Sequence, residues 1–135
     1  MILNILVIFF LVNSVSAEKA EVSINIYYES LCPYSRQYVI EQLYPTYNSD
    51  LGKYLDVGLF PIALQYTPDG SGGWNFECQH GNNECIGNQY QVCLIDQIQE
   101  KSVQIAALNC ILDDSQPHLA TEKVHIYLHL IKRTK

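Results

Sequence analysis

An α/β fold is predicted by three features of the first half of the chain. Val22, Ile24 and Ile26 alternate with polar residues and run into Tyr27 and Tyr28, the period-two pattern of a strand. After the short turn Glu29-Ser30-Leu31-Cys32, Pro33 opens a stretch in which Tyr38, Val39, Gln42 and Leu43 recur at helical spacing. A second strand is expected within 54–62, around Leu55, Val57, Leu59 and Ile62. Strand, helix and strand in this order form a parallel β–α–β unit.

The helix has a local reason to begin at Pro33. Proline has no N–H, and the first turn of a helix has no internal partner for that group. Pro45 is expected to end or kink the same helix. Between Thr67 and Trp74 the residues Pro68, Asp69, Gly70, Gly72 and Gly73 call for a turn or loop. A cysteine-rich segment follows from Cys78 to Cys93. Ile95, Ile98, Ile105, Leu108 and Leu112 then have helical spacing over 95–112. Residues 124–131 fit helix and strand equally. No repeat, low-complexity tract or linker argues for a second domain.

The first residues read as a secretory signal. Ile2 to Val12 is apolar except for Asn4, and Val15-Ser16-Ala17 supplies small residues before the charged pair Glu18 and Lys19. Residues 1–17 are therefore expected to be removed, leaving a domain over 18–135. The apolar run is roughly half of the about 20 residues that a membrane helix needs, so no membrane span is expected. The formal net charge is −6 with histidines neutral. This argues against nucleic acid as a partner, because polyanions require a basic face.

There are five cysteines: Cys32, Cys78, Cys85, Cys93 and Cys110. A secretory route favours disulfides, and an odd count leaves at least one thiol over. Cys32 stands alone at the expected helix start, where unpaired backbone N–H groups and the positive end of the helix dipole favour thiolate over thiol. Ser35, one turn on, is placed to donate a hydrogen bond to the sulfur, and Arg36 to add positive potential. The alternative for Cys32 is a structural half-cystine. The other four cysteines are expected to form two disulfides, and four cysteines allow three pairings. A zinc site from Cys78, Cys85, Cys93 and His80 is the rival reading. The spacings do not match the paired knuckles of common zinc modules, so no metal is expected. His125 and His129 are four apart and incomplete as a metal site.

The segment Cys78-Gln79-His80-Gly81-Asn82-Asn83-Glu84-Cys85-Ile86-Gly87-Asn88-Gln89-Tyr90-Gln91-Val92-Cys93 fits a long pattern: C-Q-H-G, two residues, E-C, two residues, N, four residues, C. The approach Tyr27-Tyr28-Glu29-Ser30-Leu31-Cys32-Pro33 accompanies it. In both features the chain resembles the gamma-interferon-inducible lysosomal thiol reductases, over about 22–112. The resemblance implies a thioredoxin-like fold with a helical, disulfide-bearing insertion, and reduction of protein disulfides in acidic endocytic compartments. It makes Cys32 the attacking cysteine of the motif Cys32-Pro33-Tyr34-Ser35 and makes His80 a structural signature residue. It implies no cofactor. The implied partners are disulfide-containing proteins and small external thiols.

Two departures from the family are expected to matter. Ser35 occupies the place of the resolving cysteine, and a hydroxyl is far too weak an acid to attack a mixed disulfide. Residues 113–135 do not resemble the family's remaining strands or the cis-proline that normally faces the active cysteine. A truncated domain with an open sheet edge is therefore expected. No Asn-x-Ser/Thr sequon occurs. Secretion is accordingly expected, with the lysosome or endosome as the alternative. The functional expectations are a thiol–disulfide oxidoreductase with altered turnover or, alternatively, a secreted binding protein on the same scaffold.

Overall fold

The computed structural model describes residues 21–124. Its centre is the expected parallel pair. Strand β1 (Val22–Tyr28) runs beside β2 (Leu55–Pro61), with Val22 opposite Leu55 and Tyr28 opposite Pro61. The Ile62 N–H donates to the Tyr28 carbonyl at 2.9 Å and carries the pairing one residue further. The period-two pattern turns Val57 and Leu59 inward, and both are buried.

The connection between the strands is helical from Pro33 to Tyr47, in three parts. Helix α1 (Pro33–Tyr38) passes into a π-helical segment, Val39–Leu43, and then into α2 (Tyr44–Tyr47). Pro45, expected to end or kink the helix, does not end it. The Tyr44 N–H reaches back five residues to the Val39 carbonyl, and this wider turn lies where a proline ring would otherwise crowd the preceding turn. Val39 and Leu43 are both buried by this segment.

After β2 the chain forms an antiparallel hairpin, β3 (Gln65–Pro68) and β4 (Trp74–Glu77). Its loop is the Gly-rich stretch read from sequence. Asp69 Oδ1 accepts the N–H groups of Ser71 at 2.8 Å and Gly73 at 2.9 Å, while Gly70 and Gly72 hold positive φ. These donors, Ser71 first, lower the Asp69 pKa.

Two helices cover the parallel pair. They are α3 (Asn82–Gln97) and α4 (Lys101–Asp113). The helical spacing over 95–112 thus spans a break. Ile98 is extended, and Gln104 Nε2 donates to the carbonyls of Ile95 at 2.8 Å and Ile98 at 2.6 Å, closing the end of α3. Leu94, Ile105, Leu108, Ile111 and Leu112 pack with Tyr28, Val39, Leu43, Val57 and Leu59 in one core. Residues 117–124 form a further helix whose Pro117 and Thr121 are buried. Val124 is therefore helical. Residues 125–131 of the ambiguous segment, with His125 and His129, lie outside the described residues, as does the expected signal at 1–17. Among the described residues no strand follows β4 and β1 pairs only with β2.

Candidate active site

Cys32 is the N-cap residue of α1. Its N–H donates to the Glu29 carbonyl at 3.2 Å, and its own carbonyl accepts the Arg36 N–H at 3.0 Å. The turn from Glu29 to Cys32 is thus closed on both sides of the cysteine. The thiol is free and partly exposed. Tyr34 of the motif stands out at 81% exposure. With Tyr27, Ser35 and Tyr38 it lines a groove of about 520 Å3 beside β1.

The contact expected of Ser35 is replaced by another. No hydrogen bond joins Ser35 to the Cys32 sulfur; the Ser35 hydroxyl instead accepts the Glu29 N–H at 3.4 Å. The Arg36 guanidinium makes two backbone bonds at the end of α4. Its Nε donates to the Leu112 carbonyl at 2.7 Å and its Nη2 to the Asp114 carbonyl at 2.8 Å. The guanidinium therefore caps the C-terminal end of α4, where free carbonyls and the negative end of the dipole favour a cation. This ties the Cys32 helix to α4.

The turn is held from the other side by α3. Glu84, 0% exposed, accepts the Leu31 N–H at 3.2 Å through Oε2. Its Oε1 accepts the His80 N–H at 3.1 Å, and His80 Nδ1 lies 2.7 Å from Oε2. Asn88, one turn further on the same face, accepts the Ser30 N–H at 2.9 Å and donates to the Ile62 carbonyl at 2.6 Å. It thereby joins the Cys32 turn to the end of β2. The Ser30 hydroxyl donates to the Glu84 carbonyl at 3.2 Å. Gly87 permits this approach, because a Cβ there would stand 2.7 Å from Ser30 Oγ. Gly81 takes φ 85° at the N-cap of α3, a conformation that glycine adopts without penalty.

Glu29 completes a cluster. Its Oε2 lies 3.8 Å from His80 Nδ1. Burial raises its pKa, and the nearby Glu84 carboxylate raises it further, against a smaller lowering by His80. Ligand-type atoms of Glu29, His80 and Glu84 all lie within 4.8 Å of one another. Both Glu84 oxygens already accept protein donors, so the group reads as an internal hydrogen-bonded network.

Of the two disulfides expected among Cys78, Cys85, Cys93 and Cys110, with the pairing left open, the structure holds one. Cys78 and Cys85 form a disulfide with Cα atoms 5.6 Å apart. Cys93 and Cys110 are free and exposed, carried on α3 and α4. Their helices turn these two side chains outward, away from the core that joins α3 to α4. The disulfide also removes two of the four ligands that the rival zinc reading required.

Most of the described chain matches a known family. The family model described as gamma interferon inducible lysosomal thiol reductase (GILT) matches residues 23–125. The chain belongs to this family. GILT-like protein 1 of Drosophila melanogaster is 41% identical over 87 residues, covering 64% of this chain and 34% of the relative. A gamma-interferon-inducible lysosomal thiol reductase-like protein of Anopheles gambiae is 38% identical over 108 residues, covering 73% and 44%. The gamma-interferon-inducible lysosomal thiol reductase of Mus musculus is 33% identical over 100 residues, covering 73% and 40%. The chain thus spans less than half the length of each of these relatives. Within residues 78–93, His80, Glu84 and Asn88 all bear on the turn before Cys32, and Cys78 is bonded to Cys85. Sequence reading found these residues by pattern but missed their target. The signal was available, since Glu84 and Asn88 are four apart and share a face once 82–97 is read as helix.

Proposed function

We propose that this GILT-family chain is a thiol–disulfide oxidoreductase acting on protein disulfides through Cys32. The observation that carries the reading is the position of a free cysteine at the start of a helix, in a turn fixed by Glu84 and Asn88. The Cys32 thiolate attacks one sulfur of a substrate disulfide. A Cys32–substrate disulfide forms, the other substrate sulfur leaves as a thiolate and takes up a proton. Ser35 cannot displace the bound sulfur. Two equivalents of an external thiol complete the cycle: together they release the second substrate thiol, restore Cys32, and end as the external disulfide.

The parallel β1–α1–β2 unit with a cysteine at the helix start supports a thioredoxin-like arrangement, with α3 and α4 as the helical insertion and Cys78–Cys85 as its disulfide. The apolar run at Ile2–Val12 supports a secreted protein. The relatives named as lysosomal point to the lysosome as the alternative destination. No helix of the described residues is long and apolar enough to cross a membrane. A second reading is favoured specifically by Ser35: without an internal resolving thiol the chain would hold substrates covalently as a binding protein. Reduction of a fluorogenic protein disulfide in the presence of a small thiol separates the two. Turnover that depends on Cys32 supports the enzyme, and stoichiometric adducts without turnover support the binder.

A further inference from the structure

Glu84 and Glu29 contact the same turn in different ways. Glu84 grips it directly, through the Leu31 N–H at 3.2 Å. Glu29 belongs to it, since the Glu29 carbonyl accepts the Cys32 N–H. Their carboxylates face one another across His80, whose Nδ1 lies 2.7 Å from Glu84 and 3.8 Å from Glu29. With Glu29 ionised, its carboxylate and that of Glu84 repel each other at the point where α3 meets the turn. A proton on Glu29 removes that repulsion and leaves the bond to Leu31 intact.

We propose that Glu84 is a positioning residue for the Cys32 thiol, and that Glu29, facing it across His80, makes its hold on the Cys32 turn strongest in acid. This rests on the reading of Cys32 as the reacting group. The turn meets few other titratable groups. Helix 117–124 brings His118, whose Cα lies 3.5 Å from where a Cβ on Gly87 would stand and whose buried Nδ1 has no partner. α1 brings Arg36, which is directed to the end of α4. Tyr28 precedes Glu29, and its buried hydroxyl is held neutral by desolvation. The charged neighbours that act on Glu29 are Glu84 and His80.

The sign follows from linkage. Glu29 binds its proton more tightly in the closed turn than when exposed. The hold it contributes is complete below the ordinary carboxylate range and is lost as the pH rises through its raised value. The test is residue-resolved amide exchange on the whole chain between about pH 4 and about pH 7, with intrinsic rates divided out. Protection of the Leu31 amide is expected to fall at least about threefold across that range. Glu29→Gln should flatten the profile to less than about twofold, and Glu84→Gln should lower protection at every pH. A flat wild-type profile, or an unchanged slope in Glu29→Gln, overturns the proposal. Mass analysis of disulfide adducts on the same samples keeps the two readings apart. A pH-dependent clamp with no adduct at Cys32 removes the reaction and with it the positioning role. An adduct with a flat profile overturns the clamp and leaves the reaction.

Discussion

The carboxylate of Glu84 accepts the backbone N–H of Leu31, the residue before Cys32, at 3.2 Å across 53 positions of the chain. A residue in the first turn of α3 thereby fixes the turn that carries the candidate nucleophile. Glu84→Ala would leave the Leu31 and His80 N–H groups without their acceptor. A buried donor left unsatisfied costs about 1–3 kcal/mol, and these two bonds are partly buried. A loss of about 2–5 kcal/mol in chemical denaturation is therefore expected, with Glu84→Gln retaining part of it. A loss below about 0.5 kcal/mol for Glu84→Ala would show that the turn does not need this acceptor.

Gly87 gives a sharper test of the same contact. Alanine is favoured over glycine within a helix by about 1 kcal/mol. Here its Cβ would meet Ser30 Oγ at 2.7 Å, and that oxygen is held by its bond to the Glu84 carbonyl. Gly87→Ala is expected to destabilise the chain by about 1–2 kcal/mol despite the gain in propensity. In a double-mutant cycle, Ser30→Ala should recover most of that loss by removing the clash. Additive effects would place the strain elsewhere.

Tyr28 carries the opposite expectation. Its ring is in the core, and its buried hydroxyl has no hydrogen-bond partner. Tyr28→Phe keeps the packing and removes an unsatisfied polar group. It should be neutral or stabilising by up to about 1 kcal/mol, read from the denaturation midpoint. A clear destabilisation would reveal a partner for that hydroxyl.

The Cys78–Cys85 disulfide closes a short loop, with a sequence separation of 7. Chain entropy assigns such a loop about 2–3 kcal/mol. Cys78→Ser with Cys85→Ser should lower stability by about that amount and loosen the segment bearing His80. An unchanged midpoint would show that the bonds from Glu84 to His80 hold this segment unaided.

Much of the site was legible because it depends on local pattern. Alternation at Val22, Ile24 and Ile26 marked β1, and Pro33 marked the start of the helix next to Cys32. What was not legible depends on distant partners. Arg36 looked like a neighbour for the thiol, yet it is drawn to the carbonyls of Leu112 and Asp114, which sequence spacing cannot reveal. Ile95 and Ile98 continued the periodicity of α4, while the side chain of Gln104 closes α3 between them. Chain composition suggested four paired cysteines, but Cys93 on α3 and Cys110 on α4 are free and exposed. The hairpin was read only as a loop, because its strands are four residues each and its turn glycines dominate the pattern.

Ser35 should decide between turnover and trapping. Ser35→Cys places a thiol one helical turn from Cys32. With the two side chains within disulfide reach, it should convert accumulation of mixed disulfides into reduction of a fluorogenic protein disulfide. Adducts in the original chain with no gain in Ser35→Cys would show that the residue 35 side chain is held away, consistent with its hydroxyl facing the Glu29 N–H.

The most direct measurement is peptide-mapped mass spectrometry of the chain after incubation with a disulfide-bearing protein and rapid acid quenching. Cys93 and Cys110 are exposed thiols and serve as internal controls for non-specific exchange. The expected result is an adduct concentrated on the peptide containing Cys32, lost in Cys32→Ser. Adducts confined to Cys93 and Cys110, or equal total yield in Cys32→Ser, would contradict the assignment of Cys32 as the nucleophile.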